Sequence, residues 1–384
     1  MDDFFVKTKN YLLKIISEDK KGVLPFVIKT VLYFLALLFY LAVKFRNALF
    51  DWGIKKKTTL DSKVISLGNI TTGGTGKTPA TASLAEYFQK QKKKVVVVSR
   101  GYHGENQRPL IVSDGENMMV GAGLAGDEAY MLARKLENVP VVICRDKTRA
   151  ALFAEQEFAP DVILLDDGFQ HRSVARDFDL VLIDATQPFG HGYMLPRGLL
   201  REPLTSLKRA DGVVITRSDL VSPARLSSIT ARVKKYFRGD FIYLAHHAPF
   251  GLQSFAGKRY DLSLLADSKV VSFSGLANSS GFTGTLENLG AEIIKHFDFP
   301  DHHNYSREHM KEIVEFFLAK QDIDFLITTR KDMVKFGEDI VDFLKIKKID
   351  PIRLEIKMVF NNHFPGSQPF ADRLAASIWE EEVD

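Results

Sequence analysis

The chain begins with one long apolar stretch and then settles into alternation. From Val23 to Val43 it reads VLPFVIKTVLYFLALLFYLAV, with Lys29 as the single charge. A helix that spans a bilayer needs about 20 such residues. The uncharged part, Thr30 to Val43, is shorter, and Lys29 can snorkel to the headgroups. Lys20 and Lys21 precede the run; Lys44, Arg46 and Lys55-Lys56-Lys57 follow it. Tyr33, Tyr40 and Trp52 suit an interface. The pattern predicts a membrane helix, spanning or lying in one leaflet. A buried helix of a soluble core is the competing reading. A cleaved signal peptide is disfavoured, because the run starts late and no small-residue cleavage site follows. Residues 1–22 fit either an amphipathic surface helix or a core-docking one.

After the lysines, short apolar runs alternate with helical patterns. KVISLGNI predicts a strand, followed by a glycine loop and a helix from about Pro79 to Gln91. VVVVS, VPVVIC, DVILLDD, FDLVLIDA and ADGVVIT are further apolar strands, with helices expected near DEAYMLARKL and 146–157. Uniformly apolar strands of this kind are buried on both faces of a parallel sheet. The order predicts an α/β fold, a P-loop NTPase-like doubly wound parallel sheet, over residues 58–262. The pattern restarts after Tyr260 with KVVSFSG, TGTLENLGA, EIIKHFDF, a helix from about Arg307 to Lys320, DFLITTRKD and IRLEIKMVF. That predicts a second, smaller α/β domain over 263–384, behind an N-terminal membrane-associated segment over 1–57.

Composition sharpens this in two respects. The formal net charge is +4, yet residues 1–57 alone carry eleven Lys/Arg against five Asp/Glu. The basic excess therefore belongs to the N-terminus, which suits anionic lipid headgroups and disfavours a broad nucleic-acid surface. Cys144 is the single cysteine, so an internal disulfide and a multi-cysteine metal site are excluded. It closes an apolar run and reads as a buried structural thiol.

The candidate chemistry follows the strands. GNITTGGTGKTP has the strand, loop, Gly-Lys-Thr and helix order of a phosphate-binding P-loop, except that Thr71 stands where the usual pattern has its first glycine. The expected nucleotide-binding stretch is Thr71, Thr72, Gly73, Gly74, Thr75, Gly76, Lys77 and Thr78. Lys77 would neutralise the outer phosphates, and the Thr78 hydroxyl would reach Mg²⁺. Asp166-Asp167, ending an apolar strand, resembles the acidic strand end that holds the metal in such enzymes. A bare strand end remains the alternative for either aspartate alone. Candidates for handling an acceptor proton are Asp127-Glu128 and Asp301-His302-His303; Asp127 also suits a helix N-cap, and the histidines a surface loop. Arg100, Arg197, Arg201 and Glu202 lie in glycine-rich loops where arginines can meet phosphate. ITRSD, Ile215 to Asp219, invites a GTPase reading, but Arg217 replaces the lysine of the guanine-reading motif.

Taken together and in order, GNITTGGTGKTP, VVVVSRGY, GDEAYMLA, DVILLDDGFQHR, LPRGLLREPL, FPDHHNYS and DFLITTRKD resemble the tetraacyldisaccharide 4'-kinase family, over roughly residues 60–360. In that family a threonine at the loop start is usual. The resemblance implies transfer of the ATP γ-phosphate to the 4'-hydroxyl of a tetraacyl glucosamine disaccharide 1-phosphate in lipid A biosynthesis. It implies ATP and Mg²⁺ as cofactors and work at the cytoplasmic face of the bacterial inner membrane. It makes Asp127 the base, paired with His302, and gathers Asp166, Asp167, Arg201 and Glu202 at the centre, with Thr78, Asp166 and Glu202 on the metal side. Arg330 stands where the family has an acidic residue. The expected partners are the lipid substrate and the membrane surface; no nucleic acid and no obligatory protein partner are implied. A GTPase-type P-loop metallochaperone and a membrane-tethered nucleotide-binding scaffold are the alternatives.

Overall fold

The computed structural model describes residues 22–101, 108–276, 279–300, 303–320, 322–362 and 368–379. The apolar run forms helix α1, Val23–Asp51, which continues two turns beyond the expected end. At 1.5 Å per residue it is about 44 Å long. Along most of its length the apolar side chains are uncovered: Phe26, Phe34 and Leu41 are all more than half exposed. A helix in a soluble core would bury them. By length and composition α1 can cross a membrane. Its last two turns carry Lys44, Arg46, Asn47 and Asp51, and dock on the body through Asn47 and Arg46.

The body alternates as the pattern requires. Strand β1 is Lys63–Gly68, followed by α2 (Lys77–Lys90), β2 (Val95–Ser99), β3 (Leu110–Ser113), α3 (Ala122–Ala125) and α4 (Asp127–Lys135). Then come β4 (Val141–Ile143), α5 (Lys147–Phe158), β5 (Val162–Asp166), β6 (Phe178–Asp184), β7 (Gly212–Thr216) and α6 (Pro223–Lys234). Strand β8 (Ile242–Ser254) and the short β9 (Arg259–Tyr260) lead to β10 (Lys269–Ser274), α7 (Ser279–Asn288), β11 (Glu292–Asp298) and α8 (Arg307–Leu318). The chain closes with β12 (Phe325–Thr329), α9 (Arg330–Met333), α10 (Glu338–Lys347), β13 (Ile352–Asn362) and α11 (Phe370–Trp379).

Alternate residues of each central strand enter different cores, the consequence of a two-residue period. Ile65, Leu67, Val95, Val97 and Leu164 pack with α2 and α4 on one face. Val64, Val96, Val98, Ile163 and Leu165 pack with Ala150, Ala151 and Ala154 of α5 on the other. This two-sided burial explains why the strands read as unbroken apolar runs.

The sheet order is β11-β10-β12-β13-β8-β7-β6-β1-β5-β2-β4-β3, with β9 beside β8. It is mixed rather than wholly parallel. Strand β3 is antiparallel to β4 at one edge, and β13 runs antiparallel to β8 through most of its length. The first three residues of β8 also pair in parallel with β7. One long strand thus carries the sheet from the first set of helices to the second. The C-terminal α11 returns to the first set: Trp379 packs edge-on against Phe88, and Phe370 against Phe241.

Candidate functional site

Strand β1 lies between β5 and β6, both parallel to it. Their registers put Leu67 opposite Asp166, so the aspartate doublet emerges beside the start of the glycine loop. Gly68 allows this crossing, because a Cβ there would fall 2.3 Å from the Cβ of Phe169. The loop closes at Gly76, whose left-handed backbone (φ 87) starts α2, a conformation that favours glycine. At Gly73 and Gly74 an added Cβ meets nothing within 4 Å, so the loop is open to close approach by a ligand. The loop is braced from behind: Asn69 Nδ2 donates to Thr75 Oγ1 at 3.0 Å, and Thr216 Oγ1 to the Thr75 carbonyl at 2.9 Å.

Thr71 forms an antiparallel bridge with Leu200 and is 4% exposed. The Thr72 N–H donates to the Leu199 carbonyl at 2.8 Å, and the Arg201 N–H to the Ile70 carbonyl at 2.8 Å. The entrance of the loop is therefore a small two-stranded pairing with the Leu199–Glu202 segment. A threonine, with its strand preference, suits that pairing better than a glycine.

The two aspartates diverge because Asp167 itself is left-handed, φ 53. Asp166 turns inward. Its Oδ1 accepts from Thr81 Oγ1 at 3.3 Å and its Oδ2 from Ser99 Oγ at 3.2 Å. Burial, helped by the charge of Glu128, lifts its carboxyl to about 6 against the pull of Lys147 and Lys77. Thr78 and Thr81 lie three residues apart on α2 and share a face, so this carboxylate lies along the helix face that carries the Thr78 hydroxyl. Asp167 points the other way, 3.5 Å from Lys77 Nζ and 3.1 Å from Arg201. Burial opposes its charge, but Lys77, Arg201 and Lys147 outweigh burial and hold it at about 2.

Glu202 has other company than expected. It is fully buried. Its Oε1 takes Arg46 at 2.5 Å, and its Oε2 takes Asn47 at 2.8 Å, Ser206 at 2.8 Å and Arg209 at 3.5 Å. Both oxygens are committed, chiefly to α1. This carboxylate holds α1 to the body, and the partners on both its oxygens compete with the metal role expected of it. Arg201 and Glu202, adjacent in sequence, thus join the phosphate site to the anchor. Arg197 is buried, with its guanidinium over the Tyr193 ring at 4.4 Å, and Tyr193 in turn meets Tyr33 of α1.

Asp127 opens α4 and is half-buried, directly after Gly126 with φ 78. The charge of the next residue, Glu128, helps to raise the Asp166 carboxyl. Asp301 and His302 lie outside the described residues. His303 is described, and its ring stacks on Phe299 at 4.6 Å, with Nε2 3.3 Å from His309 Nδ1. Burial, His309 and Lys335 lower its basicity. Arg330 is committed to Glu355, with hydrogen bonds of 2.6 and 3.0 Å. Arg100 is exposed at the end of β2.

Two neighbours of the site escaped the sequence reading. Lys147 is 2% exposed and donates to the Asp166 carbonyl and, at 2.5 Å, to the Asp167 carbonyl. Burial drops its amine to about 8, against the pull of both aspartates. It belongs to Arg145-Asp146-Lys147, a polar cluster just after a strand, the signal that marked the other sites. His247 of β8 is the second. Its Nε2 would stand 3.5 Å from a Cβ at Gly76, and burial, then Arg217, pushes it down to about 4. Only the long-range pairing of β8 brings it there. Arg217 itself is paired with Asp184.

Known proteins resemble this chain over most of its length. The profile of the family described as tetraacyldisaccharide-1-P 4'-kinase (LpxK) matches residues 28–368. A tetraacyldisaccharide 4'-kinase from Halothermothrix orenii is 38% identical, over 87% of this chain and 89% of its own. One from Desulfatibacillum aliphaticivorans is 35% identical, over 91% and 92%. A crystal structure of LpxK from Aquifex aeolicus in complex with ATP superimposes with a TM-score of 0.73 at 29% identity, covering 92% of this chain and 99% of that one. The chain belongs to the tetraacyldisaccharide-1-P 4'-kinase family.

Proposed function

We propose that this protein transfers the γ-phosphate of ATP to the 4'-hydroxyl of a tetraacyl glucosamine disaccharide 1-phosphate in lipid A biosynthesis. It does so on the cytoplasmic face of the inner membrane, held there by α1. The observation that carries the reading is Asp167, fixed between Lys77 of the phosphate loop and Arg201 of a segment bonded both to that loop and to α1. Nucleotide site and membrane anchor are one connected structure, as a kinase acting on a lipid headgroup requires.

In this reading the N–H groups from Gly73 to Thr78 and the start of α2 hold the β- and γ-phosphates. Lys77 and Arg201, positioned by Asp167, balance the charge spread over the γ-phosphoryl oxygens as it moves. Asp127 takes the proton of the 4'-hydroxyl, with His302 as its expected partner. The oxygen donors Thr78 and Asp166 suit Mg²⁺, which is typically bound by one or two carboxylates together with substrate phosphates. When bound, Mg²⁺ would supply charge neutralisation at the phosphates. The test is transfer of label from γ-labelled ATP to the tetraacyl disaccharide 1-phosphate by the purified protein. An unlabelled lipid would sink the reading, and a clear preference for GTP would favour the GTPase alternative.

A further inference from the structure

The second set of strands has a crevice of its own. Strand β10 lies between β11 and β12, both parallel to it. The chain leaves β10 through α7 to β11 on one side and returns through α8 to β12 on the other. Such a reversal opens a crevice at the carboxyl ends of the strands, where α/β sheets take their ligands. Here a side chain of the protein stands in it. Asp332 of α9 is fully buried. Its Oδ1 accepts from the Gly275 N–H at 3.0 Å, and its Oδ2 from Thr329 Oγ1 at 2.6 Å. A buried carboxylate needs such partners, and these bonds join the ends of β10 and β12.

The end of β11 is drawn to the same point. A Cβ at Gly275 would fall 3.0 Å from Asp332 Oδ1, 3.1 Å from the Pro300 carbonyl oxygen and 3.2 Å from the His303 Cβ. The Phe299 N–H donates to the Ser274 carbonyl at 2.9 Å, and the His303 N–H to the Pro300 carbonyl at 3.0 Å. Lys335, just past α9, donates to the His303 carbonyl at 3.1 Å. Tyr305 packs against both Phe299 and His303. Burial, then the charge of Asp332, raises its hydroxyl above the usual range. The His303 ring is itself taken up by Phe299 and His309, so this residue is the foot of the segment that carries Asp301 and His302. Helix α9 also lies against α4, the helix that Asp127 opens. Residues 329–335 thus touch both the helix of the proposed base and the segment that supplies its expected partner.

We propose that Asp332 and Lys335 are positioning residues for the phosphoryl transfer, which hold residues 300–303 in register with Asp127. The inference rests on the reading of the chain as a kinase with Asp127 as its base. Neither side chain takes or gives a proton in the reaction. Asp332 fixes the floor of the crevice, and Lys335 ties down the His303 end, so that the histidine segment meets α4 in one arrangement. Such orientation matters to the rate, since a misplacement of about 1 Å can cost about a hundredfold.

The test is steady-state kinetics of the full-length protein in mixed micelles, with γ-labelled ATP and the tetraacyl disaccharide 1-phosphate. Lys335→Ala should lower kcat about ten- to a hundredfold. KM for ATP and for the lipid should stay within about twofold of wild type, which also shows that the variant is folded. Lys335→Arg keeps a donor and should recover most of the loss. Asp332→Ala should lower kcat at least as much, and Asp332→Asn, which keeps an acceptor for Gly275, by less. On an Asp127→Asn background, Lys335→Ala should change kcat less than about twofold, because no base is left to position. The same fold loss on both backgrounds would assign Lys335 to general stability and overturn the proposal. So would an unchanged kcat in Lys335→Ala, or a loss carried by KM. Lipid left unphosphorylated by the wild-type protein would refute the kinase reading itself, and this inference with it.

Discussion

Lys77 Nζ lies 3.5 Å from Asp167 Oδ1, and Arg201 reaches the same oxygen at 3.1 Å. One carboxylate thus holds two cations, from segments more than a hundred residues apart, at the mouth of the phosphate loop. Asp167→Asn keeps the shape and removes the charge. It should lower kcat about a hundredfold, the scale of losing a preorganised charge contact, with a smaller change in KM for ATP. Steady-state kinetics would check this; an unchanged kcat would remove Asp167 from the positioning of Lys77 and Arg201.

Glu202 separates an anchoring role from a metal-binding one. Removing one partner of a buried ionic network leaves the others uncompensated, at a cost of about 3 kcal/mol. Glu202→Ala should lower the denaturation midpoint in detergent and make the link after Asp51 more susceptible to protease. A variant that melts like the wild type but has lost its Mg²⁺ dependence would instead place Glu202 on the metal.

Asp166 gives the site a pH dependence. Its carboxyl is raised from 3.8 to about 6, so it is neutral below that value and ionised above it. Mg²⁺-dependent ATP binding should strengthen as pH rises through about 6, as followed by calorimetry between pH 5 and 8. Asp167, held at about 2, stays ionised throughout this range. Stability moves the opposite way. A carboxyl raised in the fold contributes stability that is complete below 3.8 and lost as pH rises through about 6. Asp166→Asn should flatten both profiles over this window, and binding that still titrates near 6 in this variant would assign the effect elsewhere.

Thr71 is a strand-paired residue rather than a damaged glycine. Thr71→Gly restores the common P-loop spelling but loosens the bridge to Leu200, and glycine within paired structure costs about 0.5–1 kcal/mol. ATP affinity should fall by about two- to fivefold. An affinity gain, measured by nucleotide titration, would mean that the threonine obstructs the loop.

The sequence made the phosphate loop legible because its chemistry is local: strand, glycines, Lys77-Thr78 and helix are consecutive. The doublet Asp166-Asp167 was legible from its place after an apolar strand. Glu202 was not. Its partners Arg46 and Asn47 lie some 155 residues away, and no spacing rule reports such a contact. His247 was hidden for the same reason, since β8 pairs with β13 more than a hundred residues downstream. Lys147 carried a readable signal, a polar cluster after β4, but that strand has only three residues.

The central claim is that this chain phosphorylates a lipid-borne sugar at its 4'-hydroxyl. The most direct measurement is mass spectrometry and ³¹P NMR of the lipid recovered after incubation of the full-length protein with Mg-ATP and tetraacyl disaccharide 1-phosphate. The account predicts a bisphosphorylated lipid, with the new phosphomonoester on the 4'-oxygen and the 1-phosphate intact. Recovery of the unchanged monophosphate, or a phosphate added at any other position, would contradict it.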